Sequence, residues 1–131
     1  MELFSAKSIR FIRYRLPVVA LCTVIFWQSS FPSAISDPPF PHHDKILHFL
    51  VYGILAALVA RDIAVNRPEL AVSRLCFFAA LFSGLYGLSD EIHQWFVQQR
   101  VASIGDFAAD FSGSIAGAFV YSGLCLEGIS K

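Results

Sequence analysis

The sequence predicts an all-α fold: a four-helix transmembrane bundle with short loops and both termini in the cytoplasm. Three observations lead there. Of 131 residues 56% are hydrophobic and only 15% charged, too little charge for an ordinary soluble surface. Four apolar runs of helical length follow one another, each bounded by charges, Pro or Gly. None has the wide polar face that a surface helix of a small soluble bundle needs, and polar residues concentrate in the connections instead. Formal net charge is zero and no basic stripe is interleaved with aromatics, so no nucleic acid is expected as a partner.

Residues 1–15 form a basic amphipathic N-terminal segment. Leu3, Phe4, Ile9, Phe11 and Ile12 alternate with Lys7, Arg10, Arg13 and Arg15, which suits a helix lying on an anionic inner leaflet; a plain positive stop signal explains the pattern equally well. Residues 16–131 make the four-helix membrane domain. The first run, Leu16 to about Phe31, closes on Trp27, Gln28, Ser29, Ser30 and Pro32. With the small residues Ser33, Ala34 and Ser36 it also resembles a cleaved signal peptide, but its aromatic end is more typical of an anchored helix at an interface. The second run is Ile46 to Ala60, the third lies within Leu70 to about Phe96, and the fourth is Phe107 to Leu126. Several fall short of the roughly 20 residues that span a bilayer core, and they gain length from amphipathic ends.

Lys and Arg set the orientation. Four precede the first run, Arg61, Arg67 and Arg74 lie around the second connection, and Lys131 ends the chain, whereas only Lys45 and Arg100 fall in the other two loops. The positive-inside rule puts both termini and the second loop in the cytoplasm and the first and third loops outside, with Trp27 and Trp95 at the outer interface. Cys22, Cys76 and Cys125 lie in different apolar runs without C-x-x-C spacing, which predicts buried, inert thiols rather than a disulfide framework.

The ionisable residues crowd one end of the runs. Asp44, His48 and Tyr52 recur every four residues, so they line one helix face over about 12 Å. Gly87, Asp90, Glu91 and Gln94 follow i, i+3, i+4, i+7 spacing on the next helix, and Asp106, Asp110, Gly113 and Gly117 repeat the stripe on the last. Gly113 and Gly117 also form the G-x-x-x-G pattern that lets membrane helices approach closely. A charge near hydrocarbon is costly unless paired, so these side chains are expected to meet. Up to five carboxylates (Asp44, Asp90, Glu91, Asp106, Asp110) would then face Lys45, Arg100 and His48. Such a group can bind a cation, hold a proton for general acid work, or be neutralised by Arg100 and Lys45.

Three segments resemble successive motifs of the VanZ-like family of small bacterial membrane proteins, in order and spacing: DKILHFLVY from Asp44 to Tyr52, YGLSDEIHQWFVQQR from Tyr86 to Arg100, and DFAADFSG from Asp106 to Gly113. The matching positions are Asp44, Lys45, His48, Phe49 and Tyr52; Gly87, Asp90, Glu91, Gln94, Phe96 and Arg100; and Asp106 and Gly113. Two positions depart from the pattern. Family members often have Pro-Gly where this chain has Gln98 and Gln99, which would loosen the turn that aims Arg100, and often Asn where it has Asp110, which adds a carboxylate. The resemblance implies a bacterial inner-membrane setting in the cell envelope and a link to teicoplanin (glycopeptide) resistance.

The first functional expectation is therefore binding. Asp44, Lys45, His48, Tyr52, Asp90, Glu91, Gln94, Arg100, Asp106 and Asp110 would form a periplasm-facing site in which Arg100 and Lys45 pair with an anion while carboxylates orient them. The expected partners are the lipid bilayer and an anionic envelope ligand or lipid-linked precursor. The second expectation is an enzyme using His48, Asp90 or Glu91 for acid-base work, with a divalent cation held by Asp90 and Glu91 as an option. The third is a structural protein whose polar residues hold helices together. His42 and His43 lie beside Asp44 within reach of a metal shared with His48, but no H-x-x-x-H or C-x-x-C spacing supports such a site, so neither metal nor cofactor is expected.

Overall fold

The computed structural model describes residues 5–32 and 40–129, and all regular structure among them is helical. A short helix α1 (Ala6–Arg10), capped by the Ser5 side chain at the Ser8 N–H, runs through a π-helical turn (Phe11–Arg15) into α2 (Leu16–Ser29). Three long helices follow: α3 (His43–Asn66), α4 (Val72–Trp95) and α5 (Ile104–Ile129). α4 falls within the stretch expected for it, whereas α3 and α5 exceed theirs, because Asp44 and Lys45, Arg61 to Asn66, and Gly105 and Asp106 are turns added to apolar stretches. At 24 residues each, α3 and α4 are long and apolar enough to cross a membrane. Ser33, Ala34 and Ser36 of the signal-peptide alternative, and Leu3, Phe4 and Lys131, lie outside the described residues.

A hydrophobic core including Leu55, Ala56, Ala60 and Ala79 sits between the helices, but the exterior is apolar as well and several polar residues are buried. Large apolar side chains such as Phe77, Leu85, Phe119 and Val120 point outward, while Ser83, Asp90, Glu91, Gln94, Asp110, Ser114 and Ser122 are buried. Without a hydrophobic force between helices in lipid, close packing and interhelical hydrogen bonds must hold them. Both are present. Gly113 and Gly117 of α5 lie against the Phe49 and Gly53 backbone of α3, where a Cβ on either glycine would collide with a carbonyl. Ser83 Oγ donates to the Tyr52 carbonyl at 2.9 Å, tying α4 to α3, and Tyr86 Oη donates to the Cys22 carbonyl at 2.6 Å, tying α4 to α2. Cys76, a free thiol, lies 2.9 Å from Ser122 Oγ, and Cys22 is also free.

The bundle has two chemically distinct ends. At one, Arg15 of the π turn reaches Asp62 of α3 at 3.5 Å and Arg61 lies 4.8 Å from the Tyr14 ring centroid. At the other, the C-terminal ends of α2 and α4 and the N-terminal ends of α3 and α5 come together. There the exposed Trp27 and Trp95 flank the buried acids.

Candidate functional site

α3 carries the centre of the polar end. Its four-residue stripe puts Asp44, His48 and Tyr52 on one face, and the His48 and Tyr52 rings stack with centroids 6.3 Å apart. Across from His48, Asp110 of α5 is fully buried, and its Oδ1 lies 2.8 Å from His48 Nδ1. Gly87 of α4 makes room for this carboxylate, since a Cβ at that position would stand 2.8 Å from the Asp110 Cβ. The helix-to-helix contact expected of His48 is thus made to a charged partner.

Asp90 and Glu91 are neighbours in sequence but point apart. Asp90 turns towards α2, where Ser29 Oγ donates to it at 2.5 Å and Gln94 Nε2 at 3.0 Å. Glu91 turns towards α5, accepting the Ser103 backbone N–H at 2.8 Å and standing 4.0 Å from His48 Nδ1. One cation therefore cannot be held by Asp90 and Glu91 as a pair, the arrangement that adjacency invited: successive helical side chains diverge by about 100°. His48, Glu91 and Asp110 instead bring one ligand-type atom each within 4.8 Å of one another. No local spacing announces this set, because its members come from three helices.

The two cations also separate. Lys45 bridges Asp106 at 3.0 Å and Asp44 at 3.2 Å, on the side of α3 that faces α5. Arg100 lies on the other side, donating from Nε to the Phe31 carbonyl at 2.8 Å and from Nη2 to the Gln28 carbonyl at 3.0 Å. It thereby adds a donor to the Gln28 carbonyl, which also accepts the Phe31 N–H, and one to the Phe31 carbonyl just past the end of α2. A joint Lys45 and Arg100 clamp on one anion is not formed, nor does Arg100 pair with Glu91. The Arg100 turn is kept despite the missing Pro-Gly, with Gln99 at φ 64° in the left-handed region and Arg100 N bonded to the Val97 carbonyl at 3.2 Å.

Between α2, α3 and α4 lies a cavity of about 380 Å³. Leu21, Val24, Leu47 and Val51 form its apolar wall; Asp44, His48, Tyr52, Asp90, Gln94 and Arg100 form its polar end. Gln28 and His43 complete that end, and Ser29 and Ser103 support it from behind; sequence reasoning assigned no site role to Gln28, Ser29 or Ser103. Ser29 and Gln28 close an apolar run, and nothing in their spacing marks them as partners of residues more than sixty positions away. The Tyr52 hydroxyl is buried and faces Asp90 and Asp110 without a hydrogen bond of normal geometry. Lys45, Asp106 and Glu91 are packed beside the cavity rather than in its lining.

An apolar exterior and helices long and apolar enough to cross a membrane are those of a helical membrane protein. Residues 14–126 match the family described as VanZ/LLP1, and the chain belongs to that family. No curated protein and no solved structure matches it.

Proposed function

We propose that this VanZ-type membrane protein recognises an anionic, lipid-linked component of the cell envelope in the cavity between α2, α3 and α4, at the periplasmic side of a bacterial inner membrane. The observation that carries the reading is the cavity's two-part lining: an aliphatic wall of Leu21, Val24, Leu47 and Val51 leads to a polar end bearing Arg100, His43 and His48, with Asp44 paired to Lys45 and Asp90 taken up by Ser29 and Gln94. A ligand with a hydrocarbon chain and an anionic head group matches that order. Arg100 is preorganised by two carbonyl contacts, from Nε and Nη2. The periplasmic orientation rests on the concentration of Arg13, Arg15 and Arg61 at the opposite end of the bundle. The teicoplanin link rests on the family resemblance alone.

A second reading is catalysis on such a ligand. It draws on His48, whose ring lines the cavity while Asp110 orients its Nδ1 from behind at 2.8 Å, an arrangement suited to acid-base work at the other ring nitrogen.

The test is a titration of the purified full chain in micelles with undecaprenyl phosphate, followed by tryptophan fluorescence. Arg100→Lys should raise Kd about tenfold, equivalent to about 1.4 kcal/mol, while Arg74→Gln at the other end should leave it unchanged. Equal affinity of both variants and the wild type would count against the reading. Turnover of the added lipid, lost in His48→Gln at unchanged affinity, would select the catalytic form.

A further inference from the structure

Four acids, Asp90, Glu91, Asp106 and Asp110, are buried at the polar end of the bundle, and their surroundings neutralise them unequally. Asp90 receives two hydrogen bonds, from Ser29 and Gln94. Asp106 has the Lys45 ammonium at 3.0 Å. Glu91 and Asp110 have no Lys or Arg partner among the described residues, and each keeps one oxygen that is shielded from solvent and accepts no hydrogen bond: Glu91 Oε1 and Asp110 Oδ2. The Glu91 and Asp110 residues are 6% and 0% exposed, so water does not compensate them. An orphaned carboxylate oxygen at such depth is among the most costly features a fold can retain.

The unbonded Glu91 Oε1 lies 4.0 Å from His48 Nδ1, and Asp110 Oδ1 lies 2.8 Å from the same nitrogen. We propose that His48, Glu91 and Asp110 bind a divalent transition-metal ion, Mn²⁺ or Zn²⁺, between α3, α4 and α5. Donors on one such ion sit about 2.0–2.2 Å from it and so about 3–3.5 Å from one another; the three ligand-type atoms lie within 4.8 Å already, a closure that side-chain rotation supplies. One imidazole with two carboxylates suits Zn²⁺ or Mn²⁺ better than Mg²⁺, which keeps several waters in a strict octahedron. The ion's two charges balance the two acids, and His48, part of the cavity lining, gives it an entry path. With the ion bound, Nδ1 is a ligand and no longer shares a proton with Asp110.

The inference does not depend on the cavity ligand: the site can hold an ion whether or not a lipid-linked anion binds beside it.

The experiment uses untagged full chain in micelles, stripped with chelator and then dialysed against Mn²⁺ or Zn²⁺ at low micromolar concentration. Metal analysis should find one ion per chain, and thermal unfolding should shift upward with the ion. Asp110→Asn and Glu91→Gln should each weaken binding at least tenfold and abolish the shift, while Asp62→Asn at the far end keeps both. Absence of stoichiometric metal in the wild type, or wild-type binding in either triad variant, would overturn the proposal; then the acids are neutralised by protons.

Discussion

Gln99 occupies a backbone conformation that favours glycine, at φ 64°, in the turn that delivers Arg100 to the α2 carbonyls. A side chain in the left-handed region costs roughly 1 kcal/mol, which glycine avoids. Gln99→Gly should therefore raise the melting temperature in micelles, equivalent to about 0.5–1 kcal/mol, without weakening Arg100's function; a lowered melting temperature would show that the Gln99 side chain contributes more than its backbone costs. The sequence carried a partial sign of this, since the Pro-Gly of the family is replaced by Gln98-Gln99, and it pointed to a loosened turn. The structure keeps the turn and stores strain in it. Asp90 and Glu91 teach a related lesson: adjacency on a helix reads as a pair, but the 100° step sends one acid to α2 and the other to α5.

Helices α3 and α5 owe their close approach to two glycines in one stripe, and the G-x-x-x-G spacing made that contact legible without coordinates. Steric room, however, is local. Adding a Cβ at Gly113 would drive it into the Phe49 carbonyl, while at Gly123, on the same helix, a Cβ meets nothing within 4 Å. Gly113→Ala is thus expected to destabilise by about 1–3 kcal/mol through overpacking, read as a lower melting temperature, and Gly123→Ala to leave it unchanged or raise it by up to about 1 kcal/mol. Matching losses at both positions would mean that helix flexibility, rather than the α3 contact, is at stake. The existence and order of the helices were equally legible, because apolar runs punctuated by Pro and charge are a local signal. Their ends were less so: α3 extends from His43 to Asn66 through polar turns that periodicity assigns to loops.

At the scale of the whole molecule, polar groups from α2, α3, α4 and α5 converge at one end while arginines gather at the other, and the function proposed for the site depends on which end faces the periplasm. Convergence was foreseeable from the cost of charge near hydrocarbon. The division of labour within it was not: Arg100 on one side of α3, Lys45 on the other, and His48 between Glu91 and Asp110 are facts of three-dimensional packing. Val101, 82% exposed in the loop beyond Arg100, and Glu69, exposed in the loop between α3 and α4, mark the two ends. In a variant with Cys22, Cys76 and Cys125 replaced by alanine, single cysteines at these two positions can be treated with a membrane-impermeant thiol reagent in intact cells. Labelling of Val101→Cys before permeabilisation, and of Glu69→Cys only after it, is the result expected for a site open to the periplasm. The reverse pattern would place the carboxylates and the cavity on the cytoplasmic side and contradict the account.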